Sequence, residues 1–125
     1  MVKIKRGGNN VNIHEFENLR GEFLAKEADL LQFKGGEYGD KIDRLLNFKE
    51  IAEFVEETPV EVCLLYLMKH IQSIVLSVKT GNYDKKWFWS DNDNEGLKQR
   101  ISDARNYLIL LGACIEEEVK EKHNG

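Results

Sequence analysis

Proline occurs once in the 125 residues, cysteine twice and histidine three times. The single proline, Pro59, leaves one enforced break in the chain. Cys63 and Cys114 each sit inside an apolar helical pattern, with no metal-ligand spacing around them. That excludes a disulfide framework or a zinc site and predicts two buried free thiols, which fits a reducing, cytoplasmic setting. Basic excess is also missing: net charge is −4 with mixed signs and no basic face, so phosphate-driven binding of double-stranded nucleic acid is excluded. No apolar run approaches the roughly 18 residues of a membrane span, so no membrane partner is expected. The basic clusters of Met1–Gly8 are not followed by an apolar region, so they do not form a secretory signal. No Gly-x-Ser-x-Gly elbow and no cysteine–histidine pair occurs, and Gly35-Gly36-x-x-Gly39 is too short a match for a phosphate loop.

What remains is an ordinary globular composition, 42% apolar and 32% charged. It predicts one domain over residues 1–125, with 1–12 a loose arm and 119–125 a charged tail. Phe16, Leu19, Phe23, Leu24, Leu30 and Leu31 recur mostly at helical spacing and predict a first helix over 14–33, stopped by Gly35-Gly36. Ile42, Leu45, Leu46, Phe48, Ile51, Ala52 and Val55 predict a second over 40–56. Thr58-Pro59-Val60-Glu61 combines a capping box with proline at the first helical position and opens a third over 59–79, apolar all round at first. Residues 80–94 read as a long loop carrying Trp87-Phe88-Trp89, which either packs on the core, contacts another subunit or covers a ligand. A fourth helix over 95–122, capped by Asp93 or Asn94, presents Leu97, Ile101, Ala104, Leu108, Leu111 and Ile115 as its apolar stripe. The fold class is all-α, a four-helix bundle-like domain with a long loop before the last helix.

Two polar clusters interrupt these patterns. Asp40, Asp43 and Asn47 share one face of the second helix by spacing, with Glu37 about a turn earlier and Arg44 beside them. Such carboxylates suit a hard divalent ion such as magnesium; for Asp40 a helix cap is the competing reading. Arg44 suits an acid partner or phosphate. Asp103, Asn106 and Tyr107 share a face of the fourth helix, flanked by Ser102 and Arg105. There a structural network with Arg44 or Lys69 competes with a metal site. His70 reads as a packed or surface histidine.

Glu37-Tyr38-Gly39 before a helix with Asn47-Phe48 and Ala52, the Thr-Pro-x-Glu helix ending in Lys69, and Asp103-x-x-Asn106-Tyr107 together resemble small phage and prophage proteins. These look like relatives of the MazG-like all-α nucleoside triphosphate pyrophosphatases. The likeness spans about residues 20–118. It implies a homo-oligomeric helical bundle that binds a nucleotide between helices, with magnesium held by acids from two helices and a metal-activated water cleaving between the α and β phosphates. On that reading Glu37, Asp40, Asp43 and Asp103 hold metal, with Asp43 and Asp103 catalytic. Asn47 and Asn106 orient water or base, Arg44 and Lys69 hold phosphate, and Tyr107 lies against the substrate. The family pairs Glu-x-x-Glu on one helix with Glu-x-x-Asp on another. Here Arg100 stands three residues before Asp103, Gln99 occupies the other nearby position, and Glu50-x-x-Glu53 lies at the far end of its helix from Asp43. These departures keep two alternatives open: a nucleotide binder or sequestering protein without catalysis, and an interaction protein without ligand.

Overall fold

A computed structural model describes residues 9–38 and 45–124, with side chains over 9–29 and 45–124. Four helices are present among them: α1 (Ile13–Tyr38), α2 (Leu46–Val55), α3 (Pro59–Lys79) and α4 (Leu97–Asn124). Between α3 and α4 a two-residue hairpin pairs β1 (Ser90–Asp91) with β2 (Asn94–Glu95), Ser90 opposite Glu95 and Asp91 opposite Asn94. The fold is all-α, as the spacing predicts.

The helices start where polar side chains satisfy free backbone N–H groups. Asn12 Oδ1 accepts from the Glu15 amide at 2.9 Å and Glu15 Oε1 from the Asn12 amide at 3.4 Å, so α1 begins with a reciprocal cap at the end of the expected arm. It then runs through Gly35-Gly36 to Tyr38, so those glycines do not stop it. Each costs about 1 kcal/mol against alanine yet still supplies its backbone donor and acceptor. At α3, Thr58 Oγ1 accepts from the Glu61 amide at 3.1 Å and Glu61 Oε1 from the Thr58 amide at 3.2 Å, with Pro59 next in the chain. The Thr58 contacts also hold the Glu61 carboxyl below its usual range. Thr58→Ala removes this cap, with an expected loss of about 1 kcal/mol in urea unfolding.

The core lies where α2 crosses α3 and α4. Leu45, Phe48 and Ala52 pack with Val62 and Cys63 of α3 and Cys114 of α4. α1 lies against the start of α4. Buried Phe23 sits 5.1 Å from the Trp89 ring, and buried Glu27 accepts from Arg105 Nη2 at 2.8 Å. Phe16 and Leu24, expected on the inner stripe of this helix, are exposed.

The aromatic loop folds back through Trp89 onto α1, while Trp87 stays exposed. Trp89 Nε1 donates to Glu22 Oε1 at 2.9 Å, which holds that carboxyl below its usual range, and Lys26 lies over the same ring. Lys98 covers Trp87. Asp93 and Asn94, expected to cap the fourth helix, belong instead to the hairpin turn and β2, and α4 begins at Leu97.

Two helices depart from the expected burial. On α4 the buried residues are Leu97, Ser102, Asp103, Ala104, Asn106 and Cys114, while Leu108 and Ile115 of the expected stripe face outward. α3 has a mean hydropathy of 1.3 over its most apolar 18 residues, long and apolar enough by length and composition to cross a membrane, contrary to the expectation from apolar runs. Only 22% of that window is buried, although α3 packs on both α2 and α4.

Candidate functional site

The inward face of α4 carries the one cluster of the sequence reading that lies wholly within the described residues. Residues three and four apart on a helix share a face. Gln99, Asp103 and Asn106 therefore line up, and Tyr107 stands beside them. Asp103 and Asn106 are each 6% exposed and Ser102 is fully buried. Gln99 Nε2 donates to Asp103 Oδ1 at 3.0 Å. Asn106 Oδ1 and Ser102 Oγ are buried, with no hydrogen-bond partner among the described residues. Leaving a buried acceptor unsatisfied costs about 1–3 kcal/mol. A helix whose outward side carries Leu108 and Ile115 could have buried those instead, so the polar face is costly as a purely structural choice.

An aromatic group closes one side of the cluster. The Tyr107 ring stacks on His70 at 4.7 Å and 28° and on Tyr66 at 6.1 Å and 26°, both from α3. Phe48 of α2 meets Tyr107 nearly edge-on at 6.3 Å and also approaches Tyr66. Below, Arg100 Nη1 donates to Ser73 Oγ and ties α4 to α3. The two residues that stand where the resembled family would carry acids thus act as donors, Gln99 to Asp103 and Arg100 to Ser73.

The other expected site residues fall into two groups. Asn47 and Lys69 are described. Asn47 is half-buried beside Phe48 on α2, the helix that Phe48 brings to Tyr107, and Lys69 is exposed on α3 next to His70. Asp40, Asp43 and Arg44 lie outside the described residues, as does the side chain of Glu37, and so does the expected face joining Asp40 and Asp43 to Asn47. Among the described residues no group of three or more His, Cys, Asp or Glu side chains could hold a metal ion. His70 is the residue that spacing undervalued. It packs, as expected, but against the ring of Tyr107, the residue next to Asn106 in the chain. The histidine–serine pair three apart, His70 and Ser73, was the available signal, since both point toward α4.

A cavity of about 240 Å³ lies elsewhere, between the starts of α2 and α3 and the second half of α4. Leu45, Pro59, Val60 and Cys114 form its apolar part, and Glu57, Glu117, Glu118 and Glu121 surround it with Lys49. Lys49 is paired to Glu117. Four carboxylates against one ammonium repel an anionic ligand, so this cavity is a poor place for a nucleotide.

At the back of this core the two thiols meet. Cys63 Sγ donates to the Tyr107 carbonyl at 3.7 Å, and its hydrogen bond with Cys114, together with burial, pushes the thiol far above its usual range. Both cysteines are free and buried, as expected. A neutral, enclosed thiol is a poor nucleophile. Neither should react with an aromatic disulfide reagent in the native protein, and both should react at once in denaturant. Fast reaction of either in the native state contradicts this packing.

No family model, curated protein or solved structure matches the chain.

Proposed function

We propose that the inward polar face of α4 binds a nucleotide, and that the protein is a MazG-like nucleoside triphosphate pyrophosphohydrolase using magnesium. The observation that carries this reading is the buried Asp103–Asn106 pair beside a stacked aromatic group, with the Asn106 Oδ1 acceptor left without a partner among the described residues. A buried amide oxygen accepts from a base amino group or a ligand hydroxyl. The Tyr107–His70 stack offers a flat apolar surface of the kind on which bases stack. Lys69, exposed one residue from His70, is within the chain segment that would meet phosphate, joined by Arg44 on this reading. Asn47 is half-buried on α2, next in the chain to Phe48, whose ring meets that of Tyr107.

Magnesium is commonly held by one or two carboxylates together with substrate phosphates and water. Asp103 fits that role, with Gln99 fixing the orientation of its carboxylate, and Glu37, Asp40 and Asp43 would complete the set. When bound, the ion supplies charge stabilisation at the phosphates and lowers the pKa of a bound water. The residues themselves position: Gln99 holds Asp103, His70 and Tyr66 hold Tyr107, and Asn106 selects the ligand's polar edge.

Release of pyrophosphate from a panel of nucleoside triphosphates with magnesium, at high protein concentration, tests the catalytic part. Release that stops on adding a chelator supports it, and no release from any nucleotide contradicts it. A second reading is favoured by Gln99 and Arg100 standing where acids would: a protein that binds or sequesters a nucleotide without cleaving it. Binding without release selects that reading.

A further inference from the structure

α3 is apolar on two opposite sides, and its own chain covers one of them. Val62, Cys63 and Leu67 face the protein and are buried. On the far side Leu64, Leu65, Met68, Ile71, Val75 and Leu76 are 38 to 65% exposed. At 3.6 residues per turn these six fall within an arc of about 140° and run over roughly 18 Å of helix. Gln72 is the one polar residue between them on that arc. Charge follows the same division. The chain has a net charge of −4, yet from Val62 to Trp89 it carries Lys69, Lys79, Lys85 and Lys86 against a single acid, Asp84. Glu61, one residue earlier, is held by the amide and hydroxyl of Thr58 at the helix start. Lys79, Lys85 and Lys86 are exposed at the C-terminal end of the helix and just beyond it. Tyr83 and Trp87 stand among them, 52 and 43% exposed.

We propose that this side of α3 docks on an anionic lipid surface, with the helix lying along the plane of the headgroups. An apolar arc that runs out into lysines with an exposed tyrosine and tryptophan has the composition of an interfacial helix. The arc enters the acyl boundary, the two rings sit at headgroup level, and the ammonium groups meet lipid phosphates and carboxylates. Lysine suits such an edge, because its apolar stem follows the surface while its charge stays in the polar layer. The charge pattern selects the partner, since this acid-poor stretch of an acidic chain attracts a negatively charged surface. The helix lies on the bilayer and does not cross it. Crossing would strip Val62 and Cys63 from Phe48 and Cys114, with which they form the core. His70, which stacks on Tyr107, points about 160° away from Met68 by helical spacing, so the proposal does not depend on which ligand α4 binds.

The test is flotation of the full-length protein with vesicles of two parts phosphatidylcholine to one part phosphatidylserine, and with vesicles of phosphatidylcholine alone. The wild type should float with the first and stay at the bottom of the gradient with the second. Salt at about 1 M, where the Debye length falls to about 3 Å, should release most of it. Met68→Asp and Leu76→Asp change residues that are already more than half exposed, so both should keep the helical circular dichroism of the wild type and no longer float. Lys85→Gln combined with Lys86→Gln should weaken partitioning by about 25-fold, roughly fivefold per lysine. Phe54→Asp, at an 89% exposed position on α2, should float like the wild type. A wild type that floats with neither vesicle overturns the proposal, as does flotation that Met68→Asp and Leu76→Asp leave intact. Equal flotation with both vesicles overturns the choice of an anionic surface. A dimer in sedimentation velocity that Met68→Asp dissolves, with no flotation of the wild type, assigns the stripe to a second copy and overturns the lipid surface.

Discussion

Replacing Asn106 by alanine should leave the melting temperature within about 2 °C of the wild type and lower nucleotide affinity by about 100-fold. The two halves of this result follow from one observation. A buried, hydrogen-bonded asparagine normally contributes about 1–3 kcal/mol, and its truncation also leaves a small cavity. Asn106 is buried, but its Oδ1 has no partner among the described residues, so the free protein already bears the desolvation cost without the compensating bond. Truncation removes that cost and creates the cavity, and the two effects oppose each other. With ligand present the acceptor is satisfied, and losing a buried hydrogen bond of about 2.7 kcal/mol corresponds to the 100-fold change. A drop of 8 °C or more with unaltered affinity would assign Asn106 a structural role. Asp103→Asn is the companion variant. It keeps the shape beside Gln99 but removes the charge, so it should abolish the magnesium dependence of binding while the helix content stays unchanged.

The second large effect is expected at Gly96. A Cβ built there would lie 1.8 Å from the Phe88 carbonyl oxygen and 2.5 Å from its carbon, both backbone atoms. No side-chain rotation relieves such a clash, so the chain must move. That movement pulls on the hydrogen bonds that fasten the aromatic loop to α4: Gly96 N–H to Trp89 O at 2.8 Å, Leu97 N–H to Lys86 O at 2.7 Å and Lys98 N–H to Phe88 O at 3.2 Å. Gly96→Ala should cost about 3 kcal/mol, close to the upper part of the range for single substitutions, and lower the melting temperature by about 10 °C. Because Trp89 rests on Phe23 under Lys26, the loss should be accompanied by red-shifted tryptophan emission. Wild-type stability and emission in Gly96→Ala would contradict the close approach of the two segments.

Both variants concern features that the sequence reveals unevenly. The α3 start was readable because Thr58, Pro59 and Glu61 act locally, each on backbone groups within one turn. The same logic was available at Asn12-x-x-Glu15, where an amide and a carboxylate cap α1 in the same reciprocal way. Gly35-Gly36 misleads, because glycine marks a helix end only where the chain needs a left-handed residue. The one left-handed non-glycine residue among those described is Glu56, at φ 59°, which ends α2.

Burial was harder to read than helicity. Periodicity says which residues share a face, not which face turns inward. On α4 the expected stripe is split: Leu97 and Ala104 are buried and Leu111 packs on the core, while Leu108 and Ile115 face outward and the polar residues Ser102, Asp103 and Asn106 are buried as well. α3 shows the same difficulty differently, since an apolar helix with two usable sides gives no sign of which one its own chain will cover. The grouping of Asp103, Asn106 and Tyr107 followed from spacing alone. Their neighbours Gln99, Arg100, Tyr66 and His70 did not, because those contacts cross between α3 and α4 and depend on the register of packing.

The claim that the inward face of α4 is a ligand site is tested most directly by calorimetric titration of the full-length protein with nucleoside triphosphates, with and without magnesium. Saturable one-site binding of at least one nucleotide is expected, strengthened by magnesium, with a stabilisation of about 2.7 kcal/mol when free ligand is 100 times the Kd. The absence of any binding heat at millimolar concentration, for every nucleotide and in both conditions, would contradict it.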